Sequence, residues 1–415
     1  MVKIAIMGCG VVGSGVADIL LEKSEELSRK FNKKVKLARI LDIRDMKGTP
    51  YEPYLTKNAD EILNDPKINI MVMTIGGEDI AYTLTKKALE AGKHVVTSNK
   101  EIVAAFGREL VETAYNNNVR FMYEASAGGG IPIIRPLNIC LASNDIYEIQ
   151  GILNGTTNYI LTKMHRDKMT FEEALAKAQQ KGYAEADPTA DVDGHDAARK
   201  IAILSSVAYD KFVDYRDVSC TGIRNICYED LELSSANGFK IKLIARSINK
   251  DGKIEAVVEP LLLGEDHMLA KVDSVFNGVL VKGSYTGDSM FYGKGAGKLP
   301  TASAILGDII EILTGSVEKS LPGFVKEKAE MTTSKQDSFR FFVRIWKNSI
   351  SSEEMAKVVE NSFGKVAIYC GESENNREKA ALITGYLSRE ELDKKIEELT
   401  QSLNIKVENV IKVED

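Results

Sequence analysis

Apolar residues in the first third of the chain come in short unbroken runs, each followed by a stretch where they recur every three or four positions. The runs are residues 2–7 (VKIAIM), 35–41, 70–74, 94–97 and 120–123. After the first, Val12, Val16, Ile19, Leu20 and Leu27 mark one face of a helix. Short apolar strands alternating with helical pattern predict an α/β fold, a doubly wound parallel sheet. From about Ile146 the runs lengthen: YEIQGIL, FKIKLIARSI, IEAVVEPLLL and NGVLVKGSY. They predict an α+β domain with a mainly antiparallel or mixed sheet. Thr170-Phe171-Glu172-Glu173 is a capping box that opens a helix to about Lys181. Ala197, Ile201, Leu204 and Ala208 space a second helix, and residues 301–313 a third. The polar stretch 316–336, with Pro322 and Gly323, reads as a linker. Strands at 339–346, 365–370, 380–386 and 407–413, with helices at 353–363 and 389–403, then give the order βαββαβ. The expected divisions are 1–130, with 298–318 packing back on it, 131–297, a linker at 319–336, and a module at 337–415.

A chain of 415 residues is too long for one core, in keeping with two or three domains. Its 44% hydrophobic and 27% charged residues are those of an ordinary soluble protein. A net charge of −6 argues against nucleic acid or an anionic membrane as partner. No apolar run is long enough to span a bilayer, and the chain enters a strand directly, which reads against a signal peptide. The five cysteines show no metal spacing and suit a reducing cytoplasm. With four histidines in all, protons are expected to be handled by lysines or carboxylates.

Gly8-Cys9-Gly10-Val11-Val12-Gly13 lies between the first strand and its helix, the proper context for a dinucleotide fingerprint. Gly8 allows the tight turn, Gly10 the approach of pyrophosphate, and Gly13 close packing of helix on strand. NAD or NADP is therefore the expected cofactor. Asp42 closes the second strand, where a carboxylate can bind the ribose 2′-hydroxyl or simply serve a turn. Arg39 and Arg44 lie near enough in sequence to accept a 2′-phosphate, so the choice between the two dinucleotides stays open. Ile75-Gly76-Gly77 and Ser98-Asn99-Lys100 sit at carboxyl ends of strands, where ligands bind in such sheets. A lysine at a helix start is mildly unfavourable, which points Lys100 towards function rather than surface decoration. The run from Glu124 to Pro132 (EASAGGGIP) could offer carbonyls to a hard cation or serve as a plain hinge. Asn154-Gly155-Thr156-Thr157-Asn158 suits a loop lining a polar pocket. Gly293, Gly295 and Gly297 could bring backbone against the cofactor, or form a flexible connection.

The stretch from Glu185 to Lys200, EADPTADVDGHDAARK, gathers Glu185, Asp187, Asp191, Asp193, Asp196 and Lys200. Asp196 and Lys200 are four apart at a helix start, an ordinary arrangement for a surface pair. The carboxylates before them favour another reading, because clustered like charges need a cation among them. Lys200 precedes the apolar run IAIL, so its stem is expected to leave a buried surface. Such a lysine has reason to titrate low and to donate a proton.

Ala178, Gly182, Tyr183, Asp187, Pro188, Asp191, Gly194, Asp196 and Lys200 together resemble the signature of homoserine dehydrogenases, spacing included. GCGVVG, VVTSNK, EASAGGGIPI, NGTTNYI and YGKGAG follow the family in order, over nearly the whole chain. The resemblance implies reversible NAD(P)H-dependent reduction of L-aspartate 4-semialdehyde to L-homoserine, in the threonine, methionine and isoleucine pathway. It implies Lys200 as proton donor, Lys100 as second cation and Asp196 as the group orienting Lys200 or a water. Two close lysines are expected to depress each other's pKa. Glu185, Asp191, Thr156 and Gly155 would bind substrate. Gly8, Gly10, Val11, Val12, Gly13, Asp42, Gly76, Lys100, Gly182, Glu185, Gly295 and Gly297 would contact the cofactor. Glu124, Ala127, Gly129 and Ile131 would hold a monovalent cation, sodium or potassium. A cytoplasmic homo-oligomer, dimer or tetramer, is expected. The C-terminal order resembles an ACT-type regulatory module. Its usual Asp-x-x-Gly-Val-like turn is missing from KNSISSEEMAKVV, which leaves threonine inhibition open and subunit association as the other role. Two other readings are an aspartate semialdehyde dehydrogenase, which needs a nucleophilic cysteine, and a dinucleotide-binding sensor, which needs no proton donor.

Overall fold

The computed structural model of the chain describes residues 1–315, 327–333, 337–347, 352–363, 367–370, 378–403 and 406–414. Strands β1 (Val2–Met7), β2 (Val35–Leu41), β3 (Leu55–Thr56), β4 (Ile68–Met73), β5 (His94–Thr97) and β6 (Phe121–Met122) form one parallel sheet, ordered β3-β2-β1-β4-β5-β6. Helices α1 (Val11–Phe31), α2 (Asp60–Leu63), α3 (Asp79–Glu90) and α4 (Lys100–Asn116) connect them. Both faces are covered, which is why β1 and β4 are nearly continuous apolar runs. The order reverses between β1 and β4, so a crevice opens at the carboxyl ends of β1, β4 and β5. The run at 120–123 yields only a two-residue strand, because the chain turns into a 3-10 segment at Glu124–Ser126.

The second domain holds β7 (Ile146–Ile152), α5 (Gly155–Asp167), α6 (Phe171–Gln180), α7 (Thr189–Val192), α8 (His195–Ala208), β8 (Ser219–Cys220), α9 (Tyr228–Ser235), β9 (Phe239–Lys250), β10 (Lys253–Gly264), β11 (Phe276–Gly283) and β12 (Gly287–Lys294). Its main strands pair antiparallel in the order β12-β11-β7-β9-β10, with β8 parallel on β10. Asp251 (φ 52°) and Gly252 (φ 89°) make the two-residue turn between β9 and β10. Thr170 and Glu173 form the expected capping box of α6. One expectation changes. The stretch 154–158 is not a loop: Asn154 caps α5, its side chain accepting from the Thr157 N–H, and residues 155–158 are the first helical turn.

Helix α10 (Lys298–Thr314) crosses back and lies on α1. Gly15 permits the approach, since a Cβ there would sit 2.7 Å from the Lys298 carbonyl oxygen. Ala302, Ile305, Leu306 and Ile309 join Ile4, Val16, Ala17 and Leu20 in one apolar cluster. Residues 316–318 lie outside the described residues, as does most of the linker read at 319–336. The described part, 327–333, bridges Phe212 through Lys328 and Ile254 through Met331.

Strands β13 (Arg340–Lys347), β14 (Ala367–Cys370), β15 (Glu378–Ile383) and β16 (Lys406–Glu414), with α11 (Ser352–Phe363) and α12 (Arg389–Leu403), complete the βαββαβ order. The strands run β16-β13-β15-β14, a split βαβ arrangement. β16 also pairs in parallel with β10, so this module prolongs the sheet of the second domain. Arg344 reaches the fully buried Asp230 carboxylate at 2.6 Å, and Asn409 donates to it at 2.9 Å. Part of the segment KNSISSEEMAKVV, 348–351, lies outside the described residues. No described helix is long and apolar enough to cross a membrane.

Candidate active site

Asp196 is buried at the start of α8, and two lysines converge on it. Lys200 Nζ lies 2.8 Å from its Oδ2, and Lys100 Nζ lies 3.3 Å from its Oδ1. Lys200 comes from the second domain and Lys100 from the first residue of α4, so the carboxylate bridges the two domains. The helix ends explain the signs. Lys100 stands at a partially positive N-terminus, where a cation is disfavoured; Asp196 stands at another, where an anion is favoured, and it compensates. Lys200 Nζ also donates to the Leu153 carbonyl at 2.7 Å, and its side chain is 12% exposed.

Asn154 ties the cluster together. Its Nδ2 donates to Asp191 Oδ1 at 2.7 Å and to Asp196 Oδ2 at 2.9 Å. The sequence suggests it only as one of several residues lining a polar pocket, although an Asn-Gly closing an apolar strand is the signal that marks it. Burial raises the Asp191 carboxyl, and the neighbouring Asp196 adds to this. Burial alone would raise Asp196 too, but Lys200 and Lys100 outweigh it and bring it down to about 2. At Lys100, burial is outweighed by the Asp196 and Glu101 carboxylates, which hold the ammonium above the usual lysine range. Mutual depression of the two lysines is therefore not found at Lys100, because the carboxylate between them reverses the sign.

The other carboxylates of the stretch go elsewhere. Asp193 pairs with Arg224, and Asp187 accepts from the Thr189 N–H. Glu185 is exposed, and its carboxylate has no partner among the described residues. Gly182 is exposed with φ 71°, open to the surface. Thr156 donates from Oγ1 to the Tyr183 carbonyl at 2.7 Å, which fixes the chain entering this stretch. Gly155 has little room for a side chain, since a Cβ there would lie 2.8 Å from the Val275 carbonyl oxygen.

The crevice above is lined by glycine. A Cβ on Gly13 would lie 1.9 Å from the Gly8 carbonyl oxygen, whereas one on Gly10 would meet nothing within 4 Å. Gly10 caps α1 and Gly297 caps α10, in both cases without a side-chain cap and with no acidic residue in the first turn. Two such helix N-termini fit an anionic pyrophosphate. Val11 is exposed and Val12 half-buried on the first turn of α1. Gly76 is also open, and Asn99 Nδ2 holds the adjoining Ile75 and Gly77 carbonyls at 2.9 and 2.7 Å. Gly295 lies against Gly129, where a Cβ would fall 1.9 Å from the Gly295 carbonyl oxygen.

Two features bear on ligand choice. The Asp42 carboxylate is buried and occupied, accepting from the Cys9 N–H at 2.7 Å and from the Arg44 N–H and guanidinium at 2.8–3.0 Å. Arg44 also donates to the Cys9 carbonyl, which holds its exposed side chain beside the glycine loop. The Glu124 carboxylate accepts from the N–H groups of Ile133, Ile134 and Arg135 at 2.6–2.8 Å. Neither carboxylate is spare, and the sequence could not tell this. Among the described residues no group of three or more His, Cys, Asp or Glu side chains is arranged for a metal. The thiols of Cys9, Cys220 and Cys227 are all pushed up by burial, Cys227 to about 12, unlike a nucleophilic cysteine.

Residues 132–310 match the family model for homoserine dehydrogenase, and residues 8–124 match its NAD binding domain. The homoserine dehydrogenase of a Synechocystis strain is 45% identical over 318 residues, covering 75% of this chain and 73% of that protein. That of Bacillus subtilis is 40% identical over 317 residues, with 75% and 73% covered. The chain belongs to the homoserine dehydrogenase family. The crystal structure of a homoserine dehydrogenase from Thiobacillus denitrificans superposes with a TM-score of 0.87 at 30% identity, covering 100% of this chain and 98% of that one. A hyperthermophilic archaeal homoserine dehydrogenase in complex with NADPH gives 0.63 at 31% identity, covering 77% and 99%. The activity is that of an NAD(P)-dependent homoserine dehydrogenase, interconverting L-homoserine and L-aspartate 4-semialdehyde.

Two substitutions separate the carboxylates by their effect on stability. Asp196→Asn leaves two ammonium groups facing each other and is expected to cost about 3 kcal/mol at pH 7 in a denaturant titration. Because the folded Asp196 titrates near 2, this contribution is complete above the ordinary carboxylate range and fades as pH falls towards 2. Asp191 has the opposite sign. Its folded value is raised, so the parent loses stability as pH rises through the window above the ordinary carboxylate value. Asp191→Asn is therefore expected to match or exceed the parent's melting temperature at pH 7, with the difference gone at low pH.

Proposed function

We propose that Lys200 is the proton donor of this homoserine dehydrogenase and that the crevice above it takes NADP or NAD. The observation that carries this is the Lys200 ammonium, fixed by the Leu153 carbonyl and Asp196 at the foot of the glycine-lined cleft. An ammonium has three donors. Two are used among the described residues, which leaves the third for the substrate oxygen. The dinucleotide, when bound, supplies the hydride to the aldehyde carbon. Lys200 gives its Nζ proton to the oxygen as the C–H bond forms, and in the reverse direction neutral Lys200 takes the hydroxyl proton. Lys100 stays cationic and steadies negative charge on that oxygen. Asp196 remains ionised and orients both amines.

Asp191 is half-buried and carries a raised carboxyl, which an arriving α-ammonium would relieve, and Glu185 offers a second carboxylate at the rim. With Asp42 occupied, Arg44 is the better placed group for an adenosine 2′-phosphate, which favours NADP. A monovalent cation fits through main-chain oxygens. No described hydrogen bond ends on the carbonyls of Ala127, Gly129 or Ile131, while the Glu124 carboxylate is already filled and would serve through its main chain. The split βαβ strand order of 337–415 supports an ACT-type module, and its docking through Arg344 and β16 supports a role in holding the second domain or a second subunit.

Lys200→Ala should cut turnover ~10²–10⁴-fold, the usual size of an acid–base contribution, while NAD(P)H still binds by fluorescence titration. Turnover near that of the parent removes Lys200 from the mechanism. Arg44→Ala should raise KM for NADP roughly tenfold, one charge-assisted hydrogen bond's worth, and leave KM for NAD nearly unchanged. An equal effect on both dinucleotides rules out a phosphate-reading role.

A further inference from the structure

Asn277 lies near the start of β11 and is 1% exposed, yet neither Oδ1 nor Nδ2 has a hydrogen-bond partner among the described residues. Burying an unpaired amide destabilises the protein relative to an apolar side chain of the same shape. The loss is made good only in a state where the amide is paired. The main chain packed against it belongs to the turn after β12 and to the first turn of α5. A Cβ on Gly295 would sit 2.1 Å from Asn277 Cγ and Nδ2, and one on Gly155 would sit 3.3 Å from its Oδ1. Gly295 is held from the other side by Gly129, which lies against the Gly295 carbonyl. The segment 293–297 is thus pressed between Asn277 and the glycine run after β6.

We propose that Asn277 is a positioning residue that clamps the 293–297 loop when the dinucleotide is bound, its amide pairing with the loop's main chain in that state. This rests on the reading of the loop as one wall of the cofactor site. It makes Asn277 a determinant of dinucleotide affinity without contact to the reacting atoms.

Asn277→Leu and Asn277→Ser test it, with the ligand-free melting temperature and the Kd for NADPH and NADH as readouts. For Asn277→Leu the expected result is a ligand-free melting temperature at or above the parent's, with dinucleotide Kd raised about tenfold or more and kcat at saturating cofactor close to the parent's. Asn277→Ser keeps one hydroxyl and should fall between. The proposal is overturned if the ligand-free variants melt well below the parent, which means the amide is already paired, or if both bind dinucleotide as the parent does. Should Asn277→Leu fail to fold, Asn277→Ser decides by the same two readouts. A parent that binds neither NADPH nor NADH would instead end the reading of the crevice itself.

Discussion

A single buried carboxylate with an ammonium on either side organises this molecule. Asp196 could not be buried alone, since an unpaired ion in the interior is costly. Lys100 could not comfortably start a helix alone, since the end of α4 repels it. Brought together across the domain boundary at 2.8 and 3.3 Å, they satisfy each other, and the placing of both ammonium groups follows from that mutual need. Asn154 completes the arrangement by spending one amide on two carboxylates and one carbonyl oxygen on the cap of α5.

The same cluster keeps one tension unrelieved. Asp191 receives the Asn154 amide but no cation of its own at hydrogen-bonding distance, and its carboxyl is raised in consequence. Sites that must bind a charged ligand often hold such a group in a state the free protein would rather avoid. Burial of charge works against stability at this position, whereas at Asp196 the two ammonium groups turn it into a gain.

The architecture was legible wherever local pattern decides it. The apolar runs at 2–7 and 35–41, the capping box at Thr170 and the helical spacing after His195 all appear where local preference and burial agree. What escaped was decided by partners distant in sequence. At Asp42 the distant partner is the Cys9 N–H, which with the neighbouring Arg44 fills the carboxylate, and at Glu124 it is the three N–H groups at 133–135. The helical start at Gly155 was hidden by small polar residues that suit a loop equally well, until the Asn154 cap is seen. The sign of the effect on Lys100 was missed for a related reason: two like charges were counted and the opposite charge between them was not.

The two domains are joined by two passages of chain, one at the glycine run after β6 and one at the loop before α10. The Gly130 N–H donates to the Lys294 carbonyl at 3.0 Å, and Gly129 touches the Gly295 carbonyl, so the passages run side by side. Because these are the two points where chain passes between the domains, their contact fixes the base of the cleft across which Lys100 and Lys200 meet Asp196.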